Sequence, residues 1–150
     1  MTQSLSQVSL YEQDFALWID DTVAKLKAGK FEQLEIENLI EEIECLGRSD
    51  KRELKNRFVV LLEHLLKRIY IDSPNDYRGW MNTIREQRRQ IRFLLEDSPS
   101  LKNFAREQLS SLYLEALTEA RSKYEDAEFP NEWQFSSEID ALLNETFWEN

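Results

Sequence analysis

The feature that most constrains this 150-residue chain is a run of apolar side chains that keeps a helical period for more than thirty positions. Ile36, Leu39, Ile40, Ile43, Leu46, Leu54, Phe58, Leu61, Leu62, Leu65 and Ile69 recur mostly at three- and four-residue spacings, with one gap of eight from Leu46 to Leu54. At about 100° per residue they stay roughly on one face, as only a helix allows. Gly47 interrupts the run, but a glycine inside a helix costs only about 1 kcal/mol and the apolar phase survives the crossing. The expectation is one long helix over 35–70, kinked or weakened near Gly47.

The flanking segments repeat the pattern. Ser9-Leu10-Tyr11-Glu12 reads as a capping box. Behind it Tyr11, Phe15, Trp18, Ile19, Thr22, Val23 and Leu26 form an amphipathic stripe, and Gly29 is a good stop. A first helix is expected over 10–28. Residues 72–76, Asp-Ser-Pro-Asn-Asp, form a turn-favouring cluster. A third helix over 77–96 follows, with Trp80, Ile84, Ile91, Leu94 and Leu95 inward. Ser98-Pro99 opens a fourth, to about residue 125. Phe129-Pro130-Asn131 breaks it, and a short fifth helix is expected over 139–144, with Phe147 and Trp148 docking as an aromatic tail. With three glycines, three prolines and no strand pattern, the chain reads as all-α: a single domain over 1–150, four main helices with a long second one, and a short C-terminal helix. Residues 1–8 read as a flexible extension.

Apolar runs stop well short of the roughly 20 residues that cross a membrane. No secretory signal opens the chain, and a lone cysteine, Cys45, fits a reducing compartment. A cytoplasmic protein without membrane attachment is the expectation.

Charge is unevenly spread along a chain of net −10. Residues 1–46 carry −7, residues 47–95 carry +6, and residues 96–150 carry −9. Opposite blocks attract one another first. The acidic side centres on Glu37, Glu41 and Glu44, one face of the second helix. The basic side centres on Arg85, Arg88, Arg89 and Arg92, which cover about a third of the third helix's circumference. Arginines beside a core-facing stripe can fork onto neighbouring carboxylates, so these seven residues are expected to form an internal polar network or a partner surface.

Other chemistries find less support. Glu37, Glu41 and Glu44 could line a metal site or a carboxylate-lined hydrolytic pocket. Bundle metal sites, however, recruit Glu-x-x-His units, and the one histidine, His64, has Leu61 three residues before it. His64 reads instead as a half-buried packing residue. No phosphate loop, nucleophile elbow or CxxC pair is present, so no catalytic residue, cofactor or metal is assigned. The four arginines could meet a nucleic acid, but the acidic flanks would repel a duplex. The leading expectation is a non-enzymatic protein-interaction module binding another protein or a second copy of itself, with Trp133, Phe135, Phe147 and Trp148 as exposed-looking aromatics.

Four stretches together resemble a known family: Tyr11-Glu12-Gln13-Asp14-Phe15-Ala16-Leu17-Trp18; Glu37-Asn38-Leu39-Ile40-Glu41-Glu42-Ile43-Glu44 with Leu46-Gly47-Arg48; Trp80 with Thr83-Ile84-Arg85-Glu86-Gln87-Arg88; and Ser98-Pro99-Ser100-Leu101. In this order they resemble domain-of-unknown-function family twenty-nine, small proteins abundant in cyanobacteria, over nearly the whole chain. The resemblance implies an all-helical fold and an uncharacterised role, and it brings no catalytic residues.

Overall fold

A computed structural model describes residues 9–149. They form helices α1 (Leu10–Gln13), α2 (Phe15–Lys27), α3 (Ile36–Tyr70), α4 (Pro74–Asp97), α5 (Leu101–Lys123) and α6 (Ile139–Asn144), with one 3-10 turn at Phe31–Gln33. No strand occurs among the described residues, and the all-α expectation holds. The expected extension over 1–8 lies outside the described residues. The chain divides into two compact units, Met1–Arg48 and Ser49–Asn150.

In the first unit the expected helix over 10–28 is two helices. Asp14 adopts an extended conformation, and its carboxylate accepts a hydrogen bond from the Leu17 backbone N–H at 3.1 Å. An aspartate that can cap a new helix competes with continuing the old one. Ser9 precedes α1 but makes no side-chain cap. Helix α2 ends where expected. Gly29 sits at φ +73°, and the Gly29 and Lys30 N–H groups return to the Leu26 and Lys25 carbonyls at 3.2 and 2.9 Å. These two bonds satisfy carbonyls that the helix end would otherwise leave bare.

The first unit is an antiparallel helical hairpin. The Trp18 indole N–H donates to Glu35 at 2.7 Å, and the Tyr11 hydroxyl donates to Glu42. A step back of seven residues on one side thus matches a step forward of seven on the other. Little is buried: only Trp18 and Thr22 among its described residues. Tyr11, Phe15 and Trp18 cluster, with Tyr11 edge-on to Trp18 at 4.7 Å between ring centres.

Helix α3 is one element through Gly47, as the apolar phase predicts. In the second unit it delivers Leu54, Phe58, Leu61, Leu62, Leu65 and Leu66 to a contiguous core. Ile84 and Ile91 of α4, Leu112, Ala116 and Ala120 of α5, and Ile139 and Leu142 of α6 complete it. Burying each large side chain contributes roughly 2 kcal/mol, and the small alanines let α5 approach closely. Helix α4 begins at Pro74, earlier than expected, because proline at the first helical position has its φ already set and lacks only an N–H that would be unpaired there. Its neighbour Ser73 donates to Asp76 at 2.6 Å.

The C-terminal aromatics are docked rather than displayed. Phe147 is buried in the core and Trp148 packs against it. Trp133 meets Phe147 edge-on at 5.2 Å and Phe135 at 5.4 Å. The tail expectation is therefore met, whereas the reading of Trp133, Phe147 and Trp148 as exposed is corrected. Of this group only Phe135 is exposed.

Candidate functional site

Several of the seven residues singled out by charge are engaged in ways that the sequence does not announce. Arg88 is buried on α4. Its Nε donates to the Leu142 carbonyl at 2.9 Å, and an Nη donates to the Glu145 carbonyl at 2.7 Å. One turn further on, Arg92 donates to the Leu143 carbonyl and to Asn144 Oδ1. Helix α6 is six residues long, and its last carbonyls have no partners within it. Two guanidinium forks supply them, and positive charge at a helix C-terminus is favourable. Burial, with the charge of Arg92 second, pulls the Arg88 guanidinium down to about 10, so it stays charged at neutral pH.

The outer arginines are paired locally. Arg89 forks onto Glu86 at 3.1 and 3.2 Å, and Arg85 donates to Asn82 at 3.1 Å. On α3, Glu37, Glu41 and Glu44 are exposed. Glu41 and Glu44 lie 3.5 and 3.6 Å from Arg48 of the same helix. Within the second unit, the backbone carbonyls of Leu142, Leu143 and Glu145 take up Arg88 and Arg92. Sequence reading weighs side-chain charges and has no signal for carbonyls left bare by a short helix.

A cluster that charge blocks do not reveal lies within the second unit. Glu63 and Lys67 are both buried on α3, with Lys67 Nζ 3.3 Å from Glu63 and Lys123 Nζ of α5 at 2.7 Å. Burial alone would raise the Glu63 carboxyl; the hydrogen bond from Lys123 and the charge of Lys67 outweigh it and hold the carboxyl below its ordinary value. Beside it, His64 is half-buried and its Nδ1–H donates to the Val60 carbonyl at 2.8 Å. Burial lowers its pKa, so the ring is neutral at pH 7. Among the described residues no three His, Cys, Asp or Glu side chains converge as metal ligands would.

What the first unit offers is apolar. Of its side chains, Phe15, Ile19, Val23 and Leu26 on α2 and Ile36, Ile40 and Ile43 on α3 are 39–65% exposed. Leu17, Phe31 and Leu46 are exposed as well. Scattered single cases need no explanation, but a contiguous set of this size does. The two stripes share one face. On α2, the stripe lies roughly a quarter-turn beyond Trp18 and Thr22, the residues buried in the hairpin. On α3, it lies roughly a quarter- to a third-turn beyond Leu39 and Glu42, in the same rotational sense. Two right-handed helices running antiparallel and rotated alike turn these stripes to the same side. Glu37, Glu41 and Glu44 lie along the outer edge of that face.

The fold thus defines a small all-α protein whose helices stop short of the length and apolarity needed to span a membrane. The family model described as a domain of unknown function, DUF29, matches residues 10–148, and the chain belongs to that family. Among curated proteins and solved structures nothing matches.

Proposed function

We propose that this protein is a non-enzymatic protein-interaction module whose docking surface is the apolar face of its N-terminal hairpin. The supporting observation is the imbalance of the first unit. Two buried residues accompany ten exposed large apolar side chains between Phe15 and Leu46. Water contact with that surface is unfavourable, and a partner that covers it recovers about 25 cal/mol for each Å² removed from solvent. Contiguous exposed apolar surface of this kind marks association sites. The alternative of a nucleic-acid-binding third helix is weakened, since Arg88, Arg89 and Arg92 already serve carbonyl and carboxylate oxygens within the fold.

The test pairs the wild type with a variant carrying Ile19→Ser and Ile40→Ser, both at exposed positions. The wild type is expected to co-purify reproducibly and stoichiometrically with another protein or with a second copy of itself, and the variant to lose that association while keeping its helical circular dichroism. A wild type that is monomeric and recovers no stoichiometric partner overturns the reading, as does a partner that the variant retains.

A further inference from the structure

The occupant of the hairpin face is the question its chemistry answers next, and the answer rests on the docking reading above. With Trp18 against Glu35 and Tyr11 against Glu42, the two apolar stripes are staggered: they overlap near Phe15, Ile19 and Ile36, Val23 and Leu26 lie beyond the start of α3, and Ile43 lies beside α1. From Leu26 back to Trp18 and from Glu35 on to Ile43 are eight residues each, which at about 1.5 Å per residue makes the staggered strip roughly 24 Å long. A strip of that length suits one amphipathic helix of about four turns, anchored through positions i, i+4, i+7 and i+11.

Charge selects the kind of helix. Residues 9–48 hold ten acidic and four basic side chains. The outer edge of the face on α3 carries Glu37, Glu41 and Glu44, all exposed, against Arg48 alone. Arg48 stands 3.5 Å or more from the carboxylates it approaches, a loose pairing that a closer cation can replace. Glu37 forms no ion pair among the described residues. A second copy of the hairpin would bring an equal excess of negative charge against this one, whereas a cationic helix finds complementary charge along the α3 part of the strip.

We infer that the hairpin face receives a basic amphipathic helix of another protein, its apolar stripe laid along the staggered stripes of α2 and α3 and its lysines or arginines along Glu37, Glu41 and Glu44. Apolar contact supplies the hold, and the glutamate edge supplies selectivity and speed of encounter.

The probe is a synthetic 18-residue helix with leucine at the anchor positions and lysine elsewhere, titrated calorimetrically into the full chain, beside a twin bearing glutamate for every lysine. The lysine peptide is expected to bind and to weaken about tenfold when salt is raised so far that the screening length falls from roughly 14 Å to 6 Å. The glutamate twin is expected to bind at least about tenfold more weakly, a difference of about 1.4 kcal/mol. Ile19→Ser with Ile40→Ser, which leaves every charge in place, should weaken the lysine peptide by a similar factor at all salt concentrations. Leu114→Ser, at an exposed apolar position of α5, should change nothing. Equal binding of the twin, or full binding by the isoleucine variant, overturns the inference. So does sedimentation showing a dimer that the isoleucine variant dissociates; that outcome leaves the docking reading standing with a second copy as occupant. A monomer that binds neither peptide and recovers no partner ends both.

Discussion

Arg88 of α4 and Leu142 of α6 are joined by a hydrogen bond 2.9 Å long from a guanidinium Nε to a backbone carbonyl, although 54 residues separate them in the chain. The bond explains why an arginine lies buried beside an isoleucine-rich face, and how a six-residue helix keeps its place. A helix so short has little stability alone. Here Ile139 and Leu142 are fully buried, and the forks of Arg88 and Arg92 hold its end.

Replacing Arg88 by methionine therefore leaves the Leu142 and Glu145 carbonyls without the donors they have now. The expected loss is about 2–4 kcal/mol, from charge-assisted bonds removed and carbonyl groups left unpaired. Arg88→Lys should recover only part, because one ammonium cannot reproduce a planar fork. Arg85→Met, at a side chain that donates to Asn82 on the exposed surface, should fall within about 0.5 kcal/mol of wild type. Urea unfolding followed by circular dichroism checks all three. A near-neutral Arg88→Met would show that the forks contribute little.

Acid should weaken the fold in two stages. His64 has a folded pKa below its ordinary value of 6.5, so the unfolded chain binds a proton first. Its contribution is complete above that ordinary value and fades as pH falls through the lower, folded one. Glu63 is likewise depressed below 4.5, so its contribution is held above that value and lost as pH falls through its folded pKa. Stability measured against pH should decline first below about 6.5 and again below about 4.5. His64→Gln should remove the first decline and Glu63→Gln the second. Glu63→Gln also leaves Lys67 buried without its counter-charge, at a cost of about 3 kcal/mol near neutral pH.

Two glycines should respond oppositely to alanine. Gly47 is interior to α3, and a Cβ added there meets nothing within 4 Å. Gly47→Ala should stabilise by roughly 0.5–1 kcal/mol, through helix propensity and a less flexible unfolded chain. Gly29 also has open space, but its φ of +73° disfavours any side chain. Gly29→Ala should destabilise by about 1 kcal/mol. Thermal unfolding of both variants decides the signs.

How much of this was legible beforehand differs from element to element. The span of α3 followed from Ile36 to Ile69 because periodicity is local and survives one glycine. The α6 span, Ile139–Asn144, followed from the serine and glutamate ahead of it and the apolar residues within it. The break at Asp14 was hidden because the same aspartate can ride on a helix or cap a new one. Of the candidate residues, Arg88 finds partners that are carbonyls, identical along every chain and silent in sequence.

By itself the sequence determined the all-helical class, the length of the central helix, the hairpin stop at Gly29 and the charge blocks. All of these depend on neighbours within a few turns, where spacing and residue type suffice. Only the tertiary structure decided which apolar stripes are covered. Those of residues 54–66 meet α4, α5 and α6 and vanish into a core, while those of residues 15–43 rotate together onto one open face. The two kinds of stripe read alike in sequence, since period reports that a face is apolar and not whether anything lies against it.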